Sequence, residues 1–378
     1  MTAPTLSRIP SWLPERDSAN PRMVRDHLDA VGLWHSVWRR TGLVVGVVVY
    51  LAAPMVFSDF QLSVLDYAGI AAVGAIGLNV LTGYTGQISL GHGFFLGAGA
   101  YTAAYVGGEL ALPLPLWLGA CAAIGALVGL VIGPFALRLR GSYLAIITLG
   151  LVFIGQHIFE NWDSVTGGLN GTAVSAPVAL GPLDFADLSI GGAELSRDAG
   201  YFYLIWGAVA VVALLVKNLM RTRLGRAFQA VRDRDAAAEV IGVRLARTKV
   251  MSFVVSSSLA AVAGGLYGSY QRFVNPEEFG LFLSIEYVAI IVIGGIATVY
   301  GPVLGALFIT AVPFLIEEWS HRIPGVATEA GESGITVFAL NQALFGLLII
   351  LFLVVEPRGL AALWLRIRVY FQAWPFSY

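Results

Sequence analysis

From Tyr67 to Gly108 the chain runs 42 residues without an Asp, Glu, Lys or Arg. A folded soluble domain has too little interior for such a run, whereas a bilayer absorbs one with about 20 residues per helical crossing. This stretch is long enough for two crossings with a glycine-rich break between them. Further charge-free runs cover Thr41–Ser58, Leu110–Leu137, Gly141–Phe159, Ala199–Val216, Val250–Gln271, Tyr287–Ile316 and Ser333–Val355. Only 12% of residues are charged, against about 25% in soluble domains. The runs are apolar all round and show no period of two, which selects helices over a β-barrel. The expected fold is an all-α polytopic membrane protein. About ten transmembrane helices are expected, near 41–57, 67–82, 91–108, 113–137, 142–159, 200–216, 250–271, 284–298, 301–319 and 338–355. The eighth is short and carries Glu286 near its start.

Charge placement orients these spans. The 33 residues from Lys217 to Lys249 hold nine of the 23 Lys and Arg residues and only three acids, Asp233, Asp235 and Glu239. Positive charge beside a span marks the cytoplasmic side. Alternation from a cytoplasmic N-terminus puts 20 of the 23 basic residues inside and leaves only Arg197, Arg272 and Arg322 outside. The expectation is N-in, C-in. A cytoplasmic leader covers 1–40, a transmembrane domain 41–355 and a cytoplasmic tail 356–378. Within the transmembrane domain lie a cytoplasmic loop at 217–249 and an external loop at 160–198, long enough to shape an entrance or receive a delivery protein. Arg39-Arg40 before the first run is read as a positive-inside anchor rather than an export signal.

The chemistry of catalysis is missing. There is no Walker A pattern, no HExxH, no Gly-x-Ser-x-Gly and no Cys/His cluster. Cys121 lies alone in an apolar run and is read as packing. No charged residue falls inside the core of a confidently placed span, which argues against proton coupling, since such carriers commonly use intramembrane acids or bases. The driving energy is expected from outside the chain, although backbone-coordinated sodium stays open.

The stretch Gly77–Tyr101, GLNVLTGYTGQISLGHGFFLGAGAY, mixes seven glycines with Asn79, Thr82, Tyr84, Thr85, Gln87, Ser89 and His92. Glycine weakens a helix, so its density here needs a reason. Gly97 and Gly99 suit close helix packing. Gly83–Gly93 is either a pathway-lining break or a cytoplasmic turn, and His92 is either a structural hydrogen-bonder or a ligand contact. A second break, with Pro302 after Gly301, falls in Ile293–Ala306. The recurrence of breaks suggests two related halves.

The basic loop itself has helical pattern. Gly225–Val243 is rich in helix formers, and Phe228, Val231, Ala238 and Ile241 form an apolar stripe interrupted by Asp235. Asp235 and Glu239 share a face, and Gly242 ends the helix. Such a helix fits a socket on another protein or the surface of anionic lipid.

These segments together resemble the permeases of branched-chain amino acid ABC importers, the LivM-type family. DAAAEVIG (Asp235–Gly242) resembles the EAA-type coupling segment of such permeases. GYTGQISLGHGFFLGAGAY is similar to the family signature. RLRGSYLAIITLG (Arg138–Gly150), TGGLNG (Thr166–Gly171) and the run from Asn275 to Ala306 match in order, so the resemblance covers about 65–310. It implies a type II-like permease paired with a second, related permease, two cytoplasmic ATP-binding cassette subunits and an external substrate-binding protein, in the bacterial inner membrane. ATP and magnesium would sit on the partner subunits, with no cofactor on this chain, no metal and no nucleic acid. Carried over, Gly225, Arg226, Arg232, Asp235, Ala238, Glu239 and Gly242 would couple to the ATPase. Tyr84, Thr85, Gln87, Ser89 and His92 would line the pathway, and Thr166, Gly167, Gly168 and Asn170 would face the binding protein. The implied cargo is a branched-chain or other apolar amino acid, with urea, short amides or small carboxylic acids as family alternatives. A stand-alone secondary transporter or channel is the alternative of another class.

Overall fold

A computed structural model describes residues 37–137, 142–181, 183–190, 193–320, 326–327, 335–356 and 359–373. The expected leader, save its last four residues, the Arg138/Arg140 turn and Arg322 lie outside the described residues. The chain divides into two compact units, Met1–Phe57 and Ser58–Tyr378. In the first, α1 (Val37–Val56) carries a valine-rich stretch whose side chains are largely exposed, as on a lipid-facing helix.

The second unit is a helix bundle. Its first helix, α2 (Asp59–Leu78), starts at a capping box in which Ser58 and Gln61 satisfy each other's backbone N–H. It continues through a π-helical turn, Asn79–Tyr84. The next is α3 (His92–Thr102), which also ends in a π-helical turn, Ala103–Glu109. Then come α4 (Leu114–Leu137), α5 (Ser142–Asn161) and α6 (Arg197–Arg221). Two short helices, α7 (Arg223–Asp233) and α8 (Asp235–Val240), precede α9 (Leu245–Gln271). The bundle closes with α10 (Leu281–Gly294), α11 (Gly301–Ser320), α12 (Val337–Val355) and α13 (Gly359–Ala373).

The centre of the bundle is α9, which packs along α4, α3 and α2. Glycine sets these approaches. A Cβ on Gly99 of α3 would strike the carbonyl of Ala261, and one on Gly264 of α9 would strike the carbonyl of Leu96. The two backbones therefore touch, as small residues permit in membranes. A Cβ on Gly97 would come within 2.5 Å of the Phe159 ring and 2.9 Å of the Phe279 ring, so both glycines serve packing as expected. Cys121 is buried and its thiol points at the Gly99 carbonyl.

Among the described residues, five helices are long and apolar enough to cross a membrane: Asp59–Tyr84, Leu114–Phe135, Tyr143–Asn161, Arg197–Arg221 and Leu245–Gln271. Shorter apolar helices cover Val44–Val56, Leu281–Gly294, Gly301–Phe314 and Gln342–Phe352. The long spans are fewer than the ten expected. One reason is that a π-helical turn interrupts α3 after 11 residues and a glycine ends α10 after 14. The long ones differ in depth: 78% of the α2 window is buried, against 28% for α4 and for α5. The latter two thus present apolar faces to lipid or to a partner.

One expectation fails here. The charge-free run begins at Tyr67, but the capping box at Ser58 starts the helix eight residues earlier. Asp66 consequently lies inside a candidate span and is fully buried. Both of its carboxylate oxygens lack a hydrogen-bond partner. Glu286 lies on α10, as its place in the short eighth span implied, and is half-buried. A candidate span thus carries a buried carboxylate, and the argument against ion coupling loses that support.

Candidate functional site

The basic loop folds onto the end of the bundle where α6 finishes and α9 begins. Thr222 ends α6 and caps α7, its hydroxyl accepting from the Gly225 N–H at 3.3 Å. The chain turns so tightly that a Cβ on Gly225 would strike the Leu219 carbonyl. α7 then buries Phe228 and Val231 and exposes Arg226 and Arg232. Arg226 donates to the Arg221 carbonyl at 2.9 Å.

The single helix expected over Gly225–Val243 is two. Arg234 is extended (φ −161°, ψ 114°) and separates α7 from α8. The break re-aims the apolar stripe. Ala238 stays buried, while Ile241 is 75% exposed and Val240 88% exposed. Ile241 thus leaves the buried stripe and joins Val240 as an outward apolar pair. Asp235 turns the other way: its Oδ2 accepts from Lys249 Nζ on α9 at 2.6 Å, with side-chain exposures of 31% and 11%. Asp235 and Glu239 share a face of α8 as expected, with Asp235 half-buried against α9 and Glu239 exposed. Gly242, at φ +89°, ends α8 as expected, with the Val243 N–H donating to the Ala238 carbonyl at 2.9 Å. Between α8 and the foot of α9 lies a groove of about 540 Å³ lined by Asp235, Glu239, Gly242, Arg244 and Lys249 among others.

The glycine-rich stretch packs into the same end of the bundle. The helix stops at Thr85, and a Cβ on Gly86 (φ +73°) would lie 3.5 Å from Arg232 of α7. Residues 86–91 are non-helical. Tyr84, Thr85, Gln87, Ser89 and His92 are all buried. Four of them make hydrogen bonds within the chain. Thr85 Oγ1 donates to the Val80 carbonyl at 3.0 Å, and Gln87 Nε2 to Ser252 Oγ at 2.7 Å. Ser89 Oγ accepts from the Gly91 N–H at 3.3 Å, and His92 Nε2 bonds the Gly74 carbonyl at 3.0 Å. Only Gln87 Oε1 among these side-chain atoms is buried without a partner. The exposed side chain of the break is Ile88.

A joint between the two breaks was not legible in sequence. Asn79, in the π-helical turn of α2, donates to the Thr298 carbonyl at 2.7 Å and accepts from the Ala297 N–H at 2.9 Å. It thereby bridges to the loop between α10 and α11. The usable signal was a buried amide beside a glycine-rich break, which calls for a backbone partner.

At the opposite end, the loop at 160–198 folds back on the bundle. Thr172–Ala173 pairs antiparallel with Phe273–Val274. Thr166 is buried, its hydroxyl donating to the Phe159 carbonyl at 2.6 Å. Gly167, Gly168 and Gly171 all take positive φ, which explains the TGGLNG glycines. Gly168 is buried and Asn170 exposed. Large exposed groups beside the TGGLNG turn include Trp162, Leu169 and Phe273. None of them was singled out in sequence. Among the described residues, no group of His, Cys, Asp and Glu is placed to hold a metal.

Comparison with known proteins places this arrangement. Residues 61–353 match the family described as "Branched-chain amino acid transport system / permease component". The high-affinity branched-chain amino acid transport system permease protein LivM of Escherichia coli K12 is 29% identical over 338 residues, covering 86% of this chain and 75% of the relative. LivH of Salmonella typhimurium, from a transport system of the same description, is 27% identical over 76% of this chain and 89% of its own length. The autoinducer 2 import system permease protein LsrC of Enterobacter sp. (strain 638) is 34% identical over 53% of this chain and 55% of its own length. No solved structure matches. With the match spanning most of the chain and apolar helices throughout it, this protein belongs to the branched-chain amino acid transport system permease family, as a multi-pass, non-catalytic ABC-importer subunit of the inner membrane.

Proposed function

We propose that this chain is a translocation subunit for branched-chain or other apolar amino acids. It would work by alternating access at an interface with a second permease, in a complex driven by two ATPase subunits. The observation that carries the reading is α8. A cytoplasmic helix that exposes Val240 and Ile241 beside a groove at the foot of α9 has the form of a plug for a protein socket. Lipid docking is disfavoured by Asp235 and Glu239 on a helix without Lys or Arg. In this reading Gly225, Arg226, Arg232, Asp235, Ala238, Glu239 and Gly242 form or support the docking element, and Gly225 and Gly242 shape its turns.

The full topology has ten crossings, N-in and C-in, with residues 217–249 inside and 160–198 outside. Spans shorter than a full crossing are extended by π-helical turns or met by local thinning of the bilayer. The two helix breaks mark related halves. Pathway contact is assigned to the Tyr84–His92 segment, where Gln87 Oε1 keeps an unused acceptor. The Thr166–Asn170 loop, with its exposed Leu169 and Asn170, receives the delivery protein.

The substrate rests on the relatives. Two of those named above come from branched-chain amino acid systems and one from autoinducer 2 import. Urea, short amides and small carboxylic acids remain alternatives. Co-purification from the native membrane should recover two ATPases and a second permease with this chain, and calorimetry on the cognate binding protein should return an apolar amino acid. Recovery of the chain as a lone active transporter would refute the assembly. A second reading, an ion-coupled carrier, draws on the buried Asp66 alone. It requires uptake without ATPase subunits that Asp66→Asn abolishes.

A further inference from the structure

α8 can act on the spans only through whatever fastens it to them. Toward α7 the chain is extended at Arg234, and toward α9 it passes through Gly242 at φ +89°. Neither link is a continuous helix, so backbone alone would let α8 swivel. The groove of about 540 Å³ between α8 and the foot of α9 also leaves the two helices incompletely packed. Across it runs one charge-assisted bond, Lys249 Nζ to Asp235 Oδ2 at 2.6 Å. Lys249 sits at the foot of the helix that packs against α2, α3 and α4. Its neighbour Ser252 accepts from Gln87 and donates to the Lys249 carbonyl at 2.7 Å.

We propose that the Asp235–Lys249 ion pair is the joint through which displacement of α8 is delivered to α9. Lys249 is thus a positioning residue that fixes the angle of the docking helix against the central span. The inference rests on the coupling reading of α8. Half-shielded charges at this separation resist parting more than exposed ones do. The pair is confined to one atom on each helix, so it transmits a push along a defined direction. It also carries the motion past Ser252 to the glycine-rich break.

The test uses the complete transporter, with its partner permease, ATPases and binding protein, in proteoliposomes. Uptake and ATP hydrolysis are measured together. Lys249→Met should retain the ATPase subunits while uptake per ATP falls by about tenfold, the scale of a typical coupling effect. Lys249→Arg should keep the ratio within about threefold of the parent, the small end of such effects. The exchange Lys249→Asp with Asp235→Lys should restore coupling relative to Lys249→Asp alone. Unchanged uptake per ATP in Lys249→Met overturns the proposal. So does an exchanged pair that assembles but is no better coupled than Lys249→Asp. If the single variants do not fold, recovery of both yield and coupling in the exchange supports the joint, and recovery of yield without coupling overturns it. A parent complex that retains no ATPase sinks the coupling reading itself. A coupled parent with a coupled Lys249→Met sinks only the joint.

Discussion

Gly264 illustrates how single residues set this bundle. A Cβ there meets the backbone of Leu96, which cannot rotate out of the way. Gly264→Ala should therefore destabilise by about 1–3 kcal/mol, as overpacking does. The matching control is Gly119→Ala on α4, where nothing lies within 4 Å. Thermal unfolding in detergent should lower the midpoint for the first and leave the second level or slightly raised, since Ala favours a helix over Gly. Glu278, on the loop between α9 and α10, accepts from the Tyr267 hydroxyl at 3.0 Å. Burial raises its carboxyl above the ordinary 4.5, against a smaller lowering by that hydrogen bond. A value raised in the fold means that the site's stabilisation is full below 4.5 and is lost as pH climbs through the folded value. The midpoint of the parent should thus fall over that rise relative to Glu278→Gln, which no longer titrates. Parallel midpoints across the range would contradict this. Legibility at this scale was uneven. The packing glycines and the Gly242 stop followed from glycine's missing Cβ. Asp66 did not, because a charge count sees where a run starts and not where a cap places the helix.

The same limit governs the elements. Most helices sit close to their charge-free runs, because burial in lipid overrides propensity along each run. The interruptions were harder to place. A stripe at helical spacing implied one helix over Gly225–Val243, yet Arg234 breaks it and rotates Ile241 outward. Local pattern cannot register that turn, since the lysine that fixes Asp235 lies 14 residues away on α9. The π-helical turns are equally silent in composition. The exposed apolar pair on α8 gives the sharpest test at this scale. Ile241→Asp should weaken retention of the ATPase subunits by about 2 kcal/mol, a typical loss for an interfacial anchor. Pull-down of the ATPases at graded salt would measure it. Retention equal to that of the parent would remove α8 as the plug. The residues proposed for the pathway illustrate the converse limit: sequence located the polar break, and only the fold showed most of its polar atoms engaged within the chain.

For the whole molecule, the question is which end of the bundle faces the cytoplasm. The basic loop and the Tyr84–His92 break share one end, and the Thr166–Gly171 loop lies at the other. The proposed topology, drawn from the charge asymmetry, puts the first inside. Cysteines introduced at Asp187 and Glu239, both exposed, test this directly. An impermeant maleimide applied to cells with an opened outer barrier should label position 187, and should reach position 239 only after the inner membrane is permeabilised. Cys121 is buried and should contribute little background. The reverse labelling order would invert the topology and detach α8 from any cytoplasmic ATPase.

The glycine seam between α3 and α9 has a further consequence for motion. Where carbonyl meets bare Cα, there are no rotamers to reset and no alternative interlock to fall into. Such a contact either holds its register or separates; it has no intermediate gears. α3 and α9 are therefore expected to travel as one body through the transport cycle. The sliding surfaces of the machine must then be sought where larger side chains are free to mesh with a neighbour, and the exposed apolar faces of α4 and α5 offer them.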